Sequence, residues 1–171
     1  GSMPGVPHEM KGIMTDHVLP GLQQDFRTPV ILHRTLITVG MGESLVAERL
    51  SAFERQLPGH IHLAYLPGYA LLKLRLTATG EEEGILGAEM EKQFTAMKER
   101  LEDIVAATED IGLELVAGRL LKARDRTVGT AESCTGGYIA HLITGIPGSS
   151  AYFKGSIVSY ADEIKTGVLK V

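Results

Sequence analysis

The run Leu72-Lys73-Leu74-Arg75-Leu76-Thr77 alternates apolar and polar side chains without a break. Successive side chains of a strand point to opposite faces, so a period of two gives a strand with one dry face and one wet face. A helix would scatter the same leucines around its circumference. The strand extends over residues 70–78, and residues 60–66 alternate in the same way, with Ile61, Leu63 and Tyr65 on one side. Pro67-Gly68 between the two suits a turn, which predicts an antiparallel hairpin. After Glu81-Glu82-Glu83, apolar Met90, Phe94, Met97, Leu101 and Ile104 step by four and three along a helix, opposite a charged face. That seam predicts core or subunit packing rather than a cofactor site.

Upstream, residues 30–39 are β-branched and aliphatic and read as a strand, and Leu45, Val46, Leu50 and Phe53 mark a helix to about residue 57. The Gly-Met-Gly-Glu-Ser turn between them could hold an anion at the helix start, and Glu43 and Ser44 as cap residues explain it as well. Residues 9–22 carry apolar side chains at helical spacing, with Pro20 near the end of that helix. His60 and His62 share a strand face, but no third ligand stands at a recognisable spacing, so no metal is expected. The pattern breaks at 108–110, and a domain boundary is placed within 108–112. Leu113, Val116, Leu120 and Leu121 then mark another helix.

Composition narrows the class. Of 171 residues, 44% are apolar and 22% charged, which is the make-up of an ordinary globular protein. A net charge of −4 argues against a general nucleic-acid binder, which needs a basic face to neutralise phosphates. One cysteine allows no internal disulfide and fits a reducing compartment. No apolar run approaches the ~18 residues of a membrane span, and nothing reads as a secretory signal, so the expectation is a cytoplasmic protein. Residues 1–3 read as the scar of tag cleavage, and both ends look cut, which suggests a fragment of a longer chain.

The chemistry concentrates further on. Residues 127–131 read as a strand that stops at Glu132-Ser133-Cys134-Thr135; Gly136 and Gly137 follow, and a helical run opens at Tyr138. Backbone N–H groups in the first turn of a helix have no internal partner and, with the helix dipole, favour a phosphate or a developing oxyanion. A serine there needs a base. No GxSxG elbow is present, and His141 falls inside the following helix. Residues 155–160 read as a second strand with a helical start behind it. If the two strands are parallel neighbours, Ser133, Tyr160 and Lys165 share one edge of the sheet, where α/β folds bind ligands. A desolvated lysine can act as base for a serine. From spacing alone, a cap serine, a strand-end tyrosine and a solvated lysine account for the same residues. Cys134 is read as a packing residue, since small buried cysteines are common and no Cys–His pairing is legible.

Residues 127–169, containing Glu-Ser-Cys-Thr-Gly-Gly, Pro-Gly-Ser-Ser and Ser-Tyr…Lys in that order, closely resemble the C-terminal domain of the CinA family, whose stand-alone relatives are nicotinamide-nucleotide amidases. The likeness covers 113–171. More loosely, 4–27 resemble the tail of the family's molybdopterin-binding-like N-terminal domain, and 28–108 its KH-like middle. The resemblance implies an α/β protein: a small KH-like α+β domain at 28–108, then at 109–171 the first part of a three-layer α/β amidase domain. It implies hydrolysis of nicotinamide mononucleotide to nicotinate mononucleotide and ammonia, without metal or cofactor; the partners expected are a pyridine mononucleotide and further copies of the chain in a homo-oligomer. Ser133 would be the nucleophile, Tyr160 and Lys165 its partners, and backbone donors at Thr135, Gly136 and Gly137 would hold either the oxyanion or the phosphate. The family's amidase domain continues past residue 171, so the resemblance leaves the activity of this piece open. A KH module clamps nucleic acid with a basic GxxG loop; here Gly80 and Gly84 enclose three glutamates, so no nucleic acid is expected. The competing readings are a non-catalytic oligomerisation scaffold, supported by the 90–104 seam, and a nucleotide-binding module without chemistry.

Overall fold

The structure, a computed structural model, describes residues 5–26 and 28–171; residues 1–3, read above as a tag scar, lie outside the described residues. The first element is a helical arm in which α1 (Pro7–Ile13), one π-helical turn (Met14–Val18) and α2 (Leu19–Asp25) run end to end. The helix expected over 9–22 is therefore present and longer. Its wide turn lies just ahead of Pro20, in the first turn of α2. Proline lacks an N–H and crowds the carbonyl four residues back, so widening the preceding turn lets the helix pass it.

The next elements are β1 (Val30–Val39), α3 (Glu43–Glu54), β2 (Ile61–Gly68), β3 (Leu71–Gly80), α4 (Glu83–Arg100) and β4 (Val105–Ala107). Their strands form one antiparallel sheet in the order β2-β3-β1-β4, the split βαβ arrangement. The alternation along residues 72–77 is met in full: Leu72, Leu74, Leu76 and Ala78 are buried, and Lys73, Arg75 and Thr77 lie on the other face. Val46, Leu50 and Phe53 of α3 and Leu86, Met90, Phe94 and Met97 of α4 close over the dry face as one core. The 90–104 seam is thus used inside the chain, with Leu101 in the core and Ile104 at its margin. It supplies no surface for a neighbouring subunit.

Several local expectations are corrected. Pro67 and Gly68 end β2, paired with Leu72 and Leu71, and the turn is Tyr69-Ala70, with Ala70 at φ 56°. Proline is tolerated there because β2 is an edge strand. The N-cap of α3 is Gly42, without a side-chain cap, so Glu43 and Ser44 lie inside the helix, which ends at Glu54 rather than near 57. His60, for which no metal was expected, has a partner of another kind: its Nε2 meets Glu89 Oε2 of α4 at 2.8 Å. Among the described residues no three His, Cys, Asp or Glu side chains are grouped to hold a metal. Strand β4 was not foreseen, because three residues are too few to show a period.

The wet face of the sheet is partly covered too. Thr35, Leu36, Ile37 and Thr38 are buried consecutively, which requires cover on both faces. Segment 108–112 folds back there, and Asp110 accepts from Lys73 Nζ at 2.6 Å and Arg75 Nη2 at 3.2 Å. These two cations hold the Asp110 carboxyl below its usual range.

The remaining chain forms α5 (Leu113–Ala123), β5 (Val128–Glu132), α6 (Tyr138–Thr144), a 3₁₀ turn (Ser149–Ala151), β6 (Phe153–Val158), α7 (Asp162–Ile164) and a π turn (Lys165–Leu169). β5 and β6 are parallel neighbours, the condition on which Ser133, Tyr160 and Lys165 were grouped at one sheet edge. β6 begins two residues earlier than Gly155, the glycine that reads as its start; Gly155 lies instead beside a register shift opposite Gly129. Tyr152 is 2% exposed beneath α5. A Cβ on Gly118 would lie 2.5 Å from the Tyr152 hydroxyl oxygen, so only glycine lets this helix approach so closely. No helix of the described residues is long and apolar enough to cross a membrane.

Candidate active site

The chain leaves β5 at Glu132 and reverses through Ser133-Cys134-Thr135-Gly136-Gly137 into α6. Gly136 N–H donates to Ser133 O and Tyr138 N–H to Thr135 O, both at 3.0 Å. Gly136 (φ 60°) and Gly137 (φ 92°) are both left-handed, a consecutive pair that a side chain would strain. The double glycine is what makes so short a reversal possible.

Gly137 is the N-cap of α6 and has no side chain to cap it. The cap comes from the strand end. Glu132, 2% exposed, accepts from Ile139 N–H at 2.9 Å and Ala140 N–H at 2.8 Å. The hydroxyls of Thr130 and Ser156 donate to the same carboxylate at 3.3 Å. Burial alone would push this carboxyl up, but the Ala140 and Ile139 amides and the Thr135 and Ser156 hydroxyls outweigh it and hold it at about 2. First-turn amides that a sequence reading offers to a ligand are therefore partly satisfied by the protein's own anion.

This arrangement has a pH signature. A carboxyl ionised more readily in the folded than in the unfolded chain, where it titrates at ~4.3, stabilises the fold above that value. The contribution is lost as pH falls towards about 2. Glu132→Gln is therefore expected to melt below the wild type at pH 7, with the gap between the two melting curves closing from about pH 4.5 downwards. A gap independent of pH would mean that the charge does not support the fold.

The main chain of Glu132 ties the two strands together. Its carbonyl accepts from Ser159 N–H at 2.7 Å and from Ser159 Oγ at 3.3 Å, and Ser159 is buried. Ser133 follows the acceptor and Tyr160 follows the donor, so both leave the same end of the parallel pair. Ser133 is half-buried, and Tyr160 is 76% exposed. Lys165 opens the last π turn, and its Nζ donates to Asp162 Oδ1 at 2.9 Å. Among the described residues no hydrogen bond joins Ser133, Tyr160 and Lys165. Thr135 and Gly136 are exposed, and Gly137 is half-buried.

Cys134 is exposed, which corrects its reading as a packing residue. His141 lies within α6, stacked on Tyr138. The residues that sequence reasoning missed are Glu132, Ser156 and Ser159. A signal for the first was present: a helix whose N-cap is glycine needs an acceptor from elsewhere, and a carboxylate six positions before the helix is within reach.

Comparison with known proteins follows the same division. Residues 33–109 match the damage-inducible protein CinA KH domain, and residues 110–171 match the CinA C-terminal domain. A CinA-like protein of Flavobacterium psychrophilum is 48% identical over 99% of this chain, and one of Cytophaga hutchinsonii is 45% identical over 99%. A CinA-like protein of Salinibacter ruber is 41% identical, again over 99%. The chain spans 41% of the length of each of these three relatives. With two domain models of one family matched in succession along it, the chain belongs to the CinA family.

Proposed function

We propose that this chain supplies the nucleophile-bearing part of an amidohydrolase that converts nicotinamide mononucleotide to nicotinate mononucleotide and ammonia. The observation that supports this reading is the parallel pairing of β5 with β6, with Ser133 and Tyr160 each one residue beyond the Glu132–Ser159 hydrogen bond. Substrate would lie at that strand end, where α/β sheets admit ligands.

In this reading Ser133 Oγ attacks the carboxamide carbon and its proton passes to Lys165 Nζ. The ammonium now bound to Asp162 must leave that partner, lose its proton and turn to the serine. Tyr160 hydrogen-bonds the reacting oxygens, and free amides of the 135–137 turn receive the oxyanion. As the C–N bond breaks, the departing nitrogen takes the proton and leaves as ammonia. Water then hydrolyses the Ser133 ester, releasing nicotinate mononucleotide and restoring the hydroxyl. No metal or cofactor enters the scheme.

The same reading has the protein act in the cytoplasm as a homo-oligomer, with exposed Ile157, Val158 and Val168 available to a neighbouring copy. It gives nucleic acid no part, since Asp110 already answers Lys73 and Arg75 on the sheet face. The test is a coupled ammonia assay with nicotinamide mononucleotide, run on this chain and on a full-length polypeptide carrying it, with the product identified by chromatography. Turnover by the longer protein is expected. Its absence there would end the amidase reading.

A further inference from the structure

We infer that Glu132 is a positioning residue that holds the Ser133 turn for the carboxamide and keeps the substrate's phosphate away from it, an inference that rests on the amidase reading above. Three elements converge on this one side chain: Thr130 of β5, Ser156 of β6, and Ile139 and Ala140 of α6. Its carbonyl is fixed in turn by Ser159 N–H at 2.7 Å. Ser133 and Tyr160 are each one residue from this junction, so the separation of their backbones is set by it. A serine presented on a glycine-rich reversal would otherwise have the freedom of a loop.

The second consequence is electrostatic. A glycine-rich turn running into a helix is a common cradle for phosphate, because the first-turn amides and the dipole face the anion. Here the Ile139 and Ala140 amides are taken by Glu132, and Gly136 and Tyr138 donate within the turn. A fixed negative charge stands where a phosphate dianion would need to approach. The surrounding donors hold the Glu132 carboxyl well below its usual range, so this charge is present throughout the neutral region. A neutral carboxamide meets no such barrier on binding, and the turn amides that Glu132 leaves free would face the oxyanion formed from it. The phosphate is therefore bound elsewhere, and the turn serves the acyl group.

The test is steady-state kinetics of Glu132→Gln in the full-length polypeptide with nicotinamide mononucleotide. A misplaced serine is expected to lower kcat about 10–100-fold while KM stays within about twofold. A KM several-fold lower, with kcat kept, would put the phosphate beside Glu132 and overturn the inference. A higher KM at unchanged kcat would make Glu132 a binding residue and overturn it equally. Should Glu132→Gln fail to fold by circular dichroism, Ser159→Ala removes one hold and is expected to give the same split at smaller size. Should the wild type turn over no substrate, the amidase reading fails by itself and the positioning role is read from Cys134, the only cysteine. Alkylation of this exposed thiol at pH 7 is then expected to quicken several-fold in Glu132→Gln, since the turn loosens and a nearby negative charge is lost. An unchanged rate would overturn the positioning role.

Discussion

On the proposed amidase reading, Ser133→Ala in the full-length polypeptide is expected to lower hydrolysis of nicotinamide mononucleotide by at least about 10³-fold, because loss of the nucleophile would remove the covalent route itself. Cys134→Ala is the matched control. Its thiol is exposed one position further on and stands in the same reversal, so a change confined to turn geometry would affect both variants. A nucleophile change affects one. Lys165→Ala is expected to lose activity to a similar degree, and the Ser133→Ala/Lys165→Ala pair no more than Ser133→Ala alone, since groups that act as a unit are not additive. If Cys134→Ala abolishes turnover while Ser133→Ala retains it, the nucleophile has been placed one residue too early. If the Ser133 and Lys165 losses multiply, the lysine acts apart from the serine.

What the sequence could reveal depended on the length of the signal. β3 shows its alternation over enough residues to fix both the strand and its dry face, and α4 shows a period long enough to name Met90, Phe94 and Met97 as one side. β4 has three residues and no period, so it was absorbed into the end of the preceding helix. The hairpin turn was displaced from Tyr69-Ala70 to Pro67-Gly68 because proline and glycine are general turn formers. Here they lie on an edge strand that tolerates them. At the site, the strand–turn–helix order was legible from composition and spacing, whereas the parallel pairing stood there only as a supposition and is supplied by the structure. The cap that Glu132 gives α6 had a local signal, but its ties to Ser156 and Ser159 did not, since those residues stand more than twenty positions away. Hydrogen bonds made across a sheet leave no local period.

Leu74→Ala is expected to destabilise the chain by about 3–4 kcal/mol, the range for deleting a fully buried leucine from a core that cannot collapse around the gap. Leu74 is 0% exposed and central to β3. It is paired with Leu36 on one side and Tyr65 on the other, with α3 and α4 packed over the same face. Both neighbouring strands are held by the register, so no single element can move in to fill the space without disrupting the others. Lys73→Ala, one residue away and on the opposite face, is the control. It removes a partly exposed ion pair with Asp110 and should cost no more than about 1 kcal/mol. In urea unfolding the leucine variant should shift the midpoint without changing the slope, because the surface exposed on unfolding is almost the same. A loss below about 1 kcal/mol would mean that the helices do not press on this strand, because dispersion and burial together give such a side chain more than that. A large loss in Lys73→Ala would instead move the stabilising core to the face covered by segment 108–112. The comparison of adjacent residues therefore tests which side of the sheet the fold is built on.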